Sequence, residues 1–167
     1  GLLNDTWLFH LDSRQWSKVE NEVGELLPSA RRGCSGWLFQ GRFYVLGGYT
    51  SDQWGFDWSL YCLDLNTLKW SLQPYGRSSY VQGAEGGEPH QIRPEWPGPM
   101  IALSPACVVG YHVYFFGGCS PQRLVSDPPQ TNMLYRLDMK TWEWFLFEPS
   151  TDGAEYVAQT PVPRFCH

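Results

Sequence analysis

The stretch Arg42-Phe43-Tyr44-Val45-Leu46-Gly47-Gly48 decides how the rest of the chain is read. Its four consecutive apolar residues, with no polar alternation, fit a strand covered on both faces. The paired glycines mark the strand's end, where a side chain would obstruct a positive φ or a close backbone approach. Tyr61 follows thirteen residues after Gly48, and Trp70 nine residues after that. Seventy residues downstream the pattern recurs as His112-Val113-Tyr114-Phe115-Phe116-Gly117-Gly118, followed by Tyr135 and Trp144, again nine apart. At the N-terminus Trp7 and Trp16 keep the same spacing.

Turn signals divide the chain into hairpins. Gln40-Gly41 joins a strand at 34–39 to one at 42–46, and a third strand is expected at 58–65. Asp64-Leu65-Asn66-Thr67 and Asp138-Met139-Lys140-Thr141 share an Asp whose carboxylate can accept hydrogen bonds from the backbone further along the turn. His10 stands where the other repeats have that Asp. The strand beginning near Trp70 alternates, with Trp70 and Leu72 expected inside and Lys69, Ser71 and Gln73 outside. Further strands are expected at 4–11, 103–109, 112–116, 132–139 and 142–147. Residues 74–98 are rich in Pro and Gly, lack a hydrophobic period and are expected to form a long mobile loop.

An aromatic run ending in Gly-Gly, a variable loop and an aromatic–Trp pair at fixed spacing resembles the kelch repeat, and the resemblance covers nearly the whole chain. It implies an all-β fold, a segment of a kelch-type β-propeller made of four-stranded antiparallel blades. Its structural motif would be Gly47, Gly48, Tyr61, Trp70, Gly117, Gly118, Tyr135 and Trp144, with Trp7 and Trp16 from an incomplete copy. Residues 1–17 would then be the last hairpin of a truncated blade, 28–73 and 99–147 complete blades, 74–98 the inter-blade loop, and 148–167 a link and the start of another blade. Arg164 and His167 match the Pro-Arg-x-x-His opening of many kelch repeats; Arg31 and Cys34 take the equivalent places in the first blade, and Ile101 and Ser104 in the second. The resemblance also implies that Trp16, Trp70 and Trp144 are equivalent buried residues, each meeting Trp7, Tyr61 or Tyr135 across adjacent strands. Kelch blades run about 50 residues and closed propellers contain roughly 4–8 of them, so the chain is expected to be part of a larger kelch protein.

Composition narrows the functions. Aromatic residues make up 16% of the 167 positions, nine of them Trp, while charged residues at 17% fall below the globular average of roughly 25%. Such a chain has much to bury and little polar surface. A net charge of −5 weighs against nucleic acid or an anionic membrane as partner. No apolar run approaches the roughly 20 residues that span a bilayer. The five cysteines are odd in number and form no C-x-x-C, as expected of incidental thiols in a reducing, cytoplasmic compartment. Asn4-Asp5-Thr6 fits the glycosylation sequon but falls in an expected strand. The four histidines (His10, His90, His112 and His167) form no ligand spacing with Cys or carboxylate, and no nucleophile-elbow or phosphate-loop signature is present. No metal, cofactor or catalytic residue is therefore expected. Some kelch-type propellers are enzymes, notably the copper-dependent galactose oxidase family with its cross-linked Tyr–Cys; an alternative reading is a fragment of such an oxidase whose active residues lie outside this segment.

Strand alternation points to function. In four-stranded antiparallel blades the tight turns emerge at one end and the longer connections at the other. The segments 18–30, 49–57, 74–98, 119–131 and 148–163 would share the second end. They hold twelve of the 17 acids against four bases, a local net charge of −8. Aromatic residues in the same segments are candidate interface anchors. The expected partner is therefore a protein with a basic or mixed basic–aromatic surface, met by Tyr49, Trp54, Tyr80, Glu85, Glu88, Glu95 and Trp96.

Overall fold

In the computed structural model, the described residues are 1–21, 24, 26–50, 57, 59–74, 77–81, 103–118 and 132–147. All regular structure among them is β. The strands are β1 (Trp7–His10), β2 (Gln15–Lys18), β3 (Ser35–Phe39), β4 (Arg42–Leu46), β5 (Leu60–Asp64), β6 (Lys69–Gln73), β7 (Arg77–Val81), β8 (Ala106–Val109), β9 (His112–Phe116), β10 (Leu134–Asp138) and β11 (Glu143–Phe147). β1 and β2 form a two-stranded hairpin; β3-β4-β5-β6 is a fully antiparallel meander. A second antiparallel meander, β8-β9-β10-β11, carries β7 as a fifth strand outside β11.

The two meanders repeat contact by contact. Gln40 and Gly41 both have positive φ, 47° and 73°, the conformation that a two-residue hairpin of right-handed twist requires. In the next turn Asp64 Oδ1 accepts the amides of Asn66 at 2.9 Å and Thr67 at 3.2 Å. Asp138 Oδ1 does the same for Lys140 at 2.8 Å and Thr141 at 3.2 Å. The amides of Arg14, Leu68 and Trp142 close the three equivalent turns onto the carbonyls of His10, Asp64 and Asp138, and all three residues sit at φ of 57–59°. Even the cross-links between turns recur: Leu65 N donates to Gly41 O, and Met139 N to Tyr111 O. Gly47, Gly48, Gly117 and Gly118 all have positive φ. A Cβ on Gly48 would also lie 2.9 Å from the Arg32 carbonyl oxygen, so this glycine answers both demands read from the sequence.

The core lies between the meanders. Trp37, Tyr44 and Cys62, which share one row and one face of the first sheet, pack against Val113, Phe115, Leu137 and Trp144 of the second. The Trp37 ring meets Phe115 edge-on at 5.4 Å and stacks on Tyr44 at 5.4 Å; Phe115 in turn lies 5.5 Å from Trp144. Such pairs contribute about 0.5–1.5 kcal/mol each beyond the area they bury. Polar contacts fix how the sheets meet. Ser35 Oγ donates to the Ser104 carbonyl, Ser104 Oγ to the Phe116 carbonyl at 2.8 Å, and Leu103 N to the Gly33 carbonyl at 2.8 Å. Tyr44, Val45 and Leu46 are all buried, so β4 is covered on both faces as its apolar run predicts. β9 is less so: Val113 and Phe115 are buried, while Tyr114 and Phe116 on the other face are half-buried.

Several expectations need correction. Residues 74–98 are not wholly loop, because β7 pairs with β11 in parallel over five residues, from Glu143↔Arg77 to Phe147↔Val81. Nothing local marks 77–81 as a strand; the main-chain edge offered by β11 does. The aromatic–Trp pairs are not directly opposed. Trp16, Trp70 and Trp144 face Phe9, Leu63 and Leu137, whereas Tyr61 and Tyr135 face Leu72 and Leu146. Each aromatic lies one step along the same face from its Trp, a diagonal neighbour. The three Trp are not equally buried either. Trp144 is fully buried, Trp70 is half-buried, and Trp7 and Trp16 are 48% and 65% exposed. Among the described residues no sheet packs on the Trp face of the hairpin bearing the last two, whereas Trp144 lies in the layer between two sheets. Leu72, expected inside, is 49% exposed at the edge of its sheet.

Equivalent tryptophans should therefore differ in energetic weight. Trp144→Ala is expected to lower the urea-unfolding free energy by about 3–5 kcal/mol, and Trp16→Ala by less than about 0.5 kcal/mol, as for an exposed surface change. Equal losses at the two sites would contradict the packing described.

Candidate functional site

Register fixes which end of the sheets carries the connections. The row Phe39-Arg42-Asp64-Lys69 lies at the tight-turn end, and Ser35-Leu46-Leu60-Gln73 at the other. The segments before β3, between β4 and β5, and after β6 all leave from the second end. The equivalent segments of the second sheet do too, with Phe116, Leu134 and Phe147 in its last row. Contacts between Gly33 and Leu103, and between Ser35 and Ser104, set the same ends of the two sheets side by side.

The floor of this end is built around Arg31, whose side chain is only 5% exposed. Nη1 donates to the Gly47 carbonyl at 2.8 Å, and Nε to the Ser29 carbonyl at 3.0 Å. Nη2 reaches Asp57 Oδ2 at 2.5 Å and Ser29 Oγ at 3.2 Å. The guanidinium also lies 4.9 Å over the Tyr61 ring, a favourable cation–π placement. Asp57 is held on its other side by the Ser59 amide at 2.8 Å, and its own amide donates to the Gly48 carbonyl at 3.1 Å. Burial by itself would raise the Asp57 carboxyl, but the Ser59 hydroxyl and amide and the Arg31 guanidinium outweigh it and hold the group below the ordinary carboxylate range. One arginine thus ties the segment before β3, the Gly47 end of β4 and the segment leading into β5 into one platform.

A second cluster sits toward the tight-turn end. Tyr44 and Cys62 are cross-strand partners, and burial raises the pKa of both. Cys62 is therefore a protonated thiol in the core, unlike the low-pKa thiolate of a nucleophile. Hydrogen bonds from the Asn66 and Thr67 amides depress the Asp64 carboxyl, with Arg42 adding to them at 3.5 Å. Asp138, which burial would raise, is instead lowered by the Lys140 and Thr141 amides and by His112 at 3.3 Å. These acids shape turns. Among the described residues no group of three or more His, Cys, Asp or Glu is placed to hold a metal ion, and no helix is long and apolar enough to cross a membrane.

Of the expected partner-binding residues, Tyr49 and Tyr80 lie within the described residues. Tyr49, expected as an exposed anchor, is buried at 5% exposure. Its amide and carbonyl pair with Arg32 at 2.8 and 3.0 Å, which turns the ring inward beside Gly33. Tyr80 lies in β7, where its backbone pairs with Leu146. Trp54, Glu85, Glu88, Glu95 and Trp96 lie outside the described residues. Asp57, counted among the loop acids, belongs to the Arg31 platform. Reading the sequence also missed an exposed apolar patch on the N-terminal hairpin, formed by Trp7, Phe9 and Trp16, with Phe9 and Trp16 rings 4.9 Å apart. No protein-family model matches the chain.

The Arg31–Asp57 pair gives a pH-dependent expectation. The folded pKa of Asp57 is lower than its ordinary 3.8, so its stabilisation is complete at neutral pH and fades as pH falls from about 4 through the folded value. Asp57→Asn should cost about 2–4 kcal/mol in urea unfolding near pH 7, because it leaves a buried guanidinium uncompensated. The cost should be smaller at the most acid pH at which the protein stays folded, as the native carboxyl begins to protonate too. An equal cost at both pH values would refute the ion pair's role.

Proposed function

We propose that the chain is a segment of a kelch-type β-propeller and serves as a protein–protein interaction module, a scaffold or adaptor that docks partners at the end bearing its long connections. The propeller reading is supported by the way the sheets stack. The Trp144 face of the second sheet lies on the opposite, Trp37–Tyr44 face of the first, so the interface is head-to-tail, the kind that repeats along an array. The observation that carries the functional reading is the division between the two ends. Tight turns close one end of both sheets, while the segments before β3, between β4 and β5, and after β6 leave the first sheet at the other, the end that Arg31 holds together. Rigid sheets that present variable loops are a recurrent way to build binding surfaces.

Charge defines the partner. With Asp57 neutralised by Arg31, the long segments still hold far more acids than bases. Such a surface attracts a basic or mixed basic–aromatic protein and repels nucleic acid. Cys34, Cys62 and Cys107 are free thiols, which supports an intracellular setting.

The test separates charge from anchoring. Glu85, Glu88 and Glu95 changed together to Gln should slow association with the partner and flatten its salt dependence. Trp54→Ala or Trp96→Ala should mainly speed dissociation. Deleting residues 83–96 keeps β7 and removes the acidic centre of the segment; unchanged partner affinity after that deletion, read by surface plasmon resonance, would exclude the segment as a binding element.

A further inference from the structure

The Arg31 platform carries a hydroxyl at its rim. Ser29 Oγ lies 3.2 Å from Arg31 Nη2 and 3.4 Å from Asp57 Oδ2. It accepts from the guanidinium and donates to the carboxylate, so it touches both members of the ion pair. The nitrogen it meets is the one that holds Asp57 at 2.5 Å. Ser29 itself is exposed, whereas the Arg31 side chain beneath it is buried. Ser29 belongs to no strand, so another protein's cleft can take its backbone without unpairing a sheet.

We propose that Ser29 is a phosphorylation site, and that its phosphoryl group captures Arg31 from Asp57. The phosphoryl donor is a nucleoside triphosphate bound by a serine kinase. Ser29 Oγ attacks the γ-phosphorus, and the bond from that phosphorus to the β–γ bridging oxygen breaks. The nucleoside diphosphate leaves, and the hydroxyl proton passes to the kinase's base. Arg32, exposed and three places after the acceptor, gives an acidic kinase cleft a charge to read.

The modification reverses the sign of one contact and strengthens the other. As a hydroxyl, Ser29 supports the ion pair from its edge. As a phosphate it has no proton for Asp57, and it carries about −1.5 to −2 charge on three acceptor oxygens. Attraction to Asp57 becomes like-charge repulsion, while attraction to Arg31 grows. Arg31 Nη1 is engaged by the Gly47 carbonyl and Nε by the Ser29 carbonyl, which leaves Nη2 as the contested group. Asp57 brings a single charge and keeps the Ser59 amide at 2.8 Å, so the carboxylate is the anion that yields. The tie from Arg31 to the segment leading into β5 is thereby exchanged for one within the segment before β3. An effect on partner binding rests on reading this end as the docking face; the site and its chemistry do not.

Experiments on the full chain test this without any partner. Treatment with ATP and a serine kinase that prefers Arg at the third place after its acceptor should put phosphate on Ser29. Tandem mass spectrometry locates it, and Ser29→Ala should lose it. Protein with phosphoserine in place of Ser29, made by genetic code expansion, then reports on the rewiring. Its second phosphate pKa, read by phosphorus NMR, should lie about 0.5–1 below the ordinary value of about 6. Asp57→Asn should lower that pKa further, because it removes the competing charge and keeps Arg31. Near pH 7, Asp57→Asn should lower the urea midpoint of the unmodified protein and shift that of the phosphorylated protein less than half as far. No phosphate on Ser29, a phosphate pKa at its ordinary value, or equal losses of urea midpoint in the two forms would each overturn the proposal.

Discussion

The edge-on contact of Trp37 with Phe115 is the interaction on which the rest of the structure depends. Each meander alone is a thin sheet with large aromatic side chains on both faces and, among the described residues, no helix to cover them. Such a sheet is stable only when one of its faces is dry. Trp37 and Phe115 bring the two sheets together, and Tyr44, Trp142 and Trp144 complete a continuous aromatic layer around them. The layer carries a cost. The indole N–H groups of Trp37 and Trp144 find no hydrogen-bond partner among the described residues, a penalty of about 1–3 kcal/mol each. The burial of two indole rings outweighs that penalty.

That layer leaves the sheets' relative orientation open, because aromatic packing is tolerant of sliding. The hydrogen bonds of Ser35 and Ser104, joined by Leu103 N to the Gly33 carbonyl, remove the freedom. They lie at the starts of β3 and of the segment leading into β8, so they align the sheets at the end from which the long connections leave. Arg31 completes the same end within the first sheet by bonding Gly47, Ser29 and Asp57 at once. A buried arginine with every nitrogen engaged stiffens a place where three chain segments meet and none of them is in a strand. The binding reading needs this rigidity, since loops hold a partner only as firmly as their bases are held.

Much of the fold was legible because it rests on local rules. The apolar run of β4, the Gly-Gly pair and the Asp of each turn state their structure within a few residues, and the observed strands and turn hydrogen bonds follow them. What was not legible depended on partners distant in sequence. β7 is a strand because β11 lacks an outer neighbour, which no property of 77–81 announces. Tyr49 is buried because Arg32 captures its backbone, seventeen residues upstream. The diagonal placement of Tyr61 against Trp70 came from register, set by the length of the turn between β5 and β6 and invisible to a count of nine residues. For the candidate site, the sequence identified the end of the sheets and the sign of the charge but not the platform, because the Arg31–Asp57 pair spans 26 residues.

The three equivalent tryptophans show how position in the array, and not residue type, decides the role of a side chain. Trp16, Trp70 and Trp144 occupy the same place in the same kind of hairpin, with the same turn closing it. Their exposure falls along the chain from 65% to none, according to what lies against each sheet. A repeat sequence therefore specifies a surface that is core wherever a neighbour is present and an apolar patch wherever one is not. The stacking between the two meanders is head-to-tail, so it consumes one face of each and leaves two unlike faces at the ends. At one end lies the face of the first sheet with Val45, Tyr61 and Leu63, which is buried. At the other lies the half-buried face with Tyr114, Phe145 and Phe147, where Arg136 stacks over Phe145 at 4.1 Å. Trp144, fully buried between the two sheets, is the measure of what such an apolar face gains when it is covered.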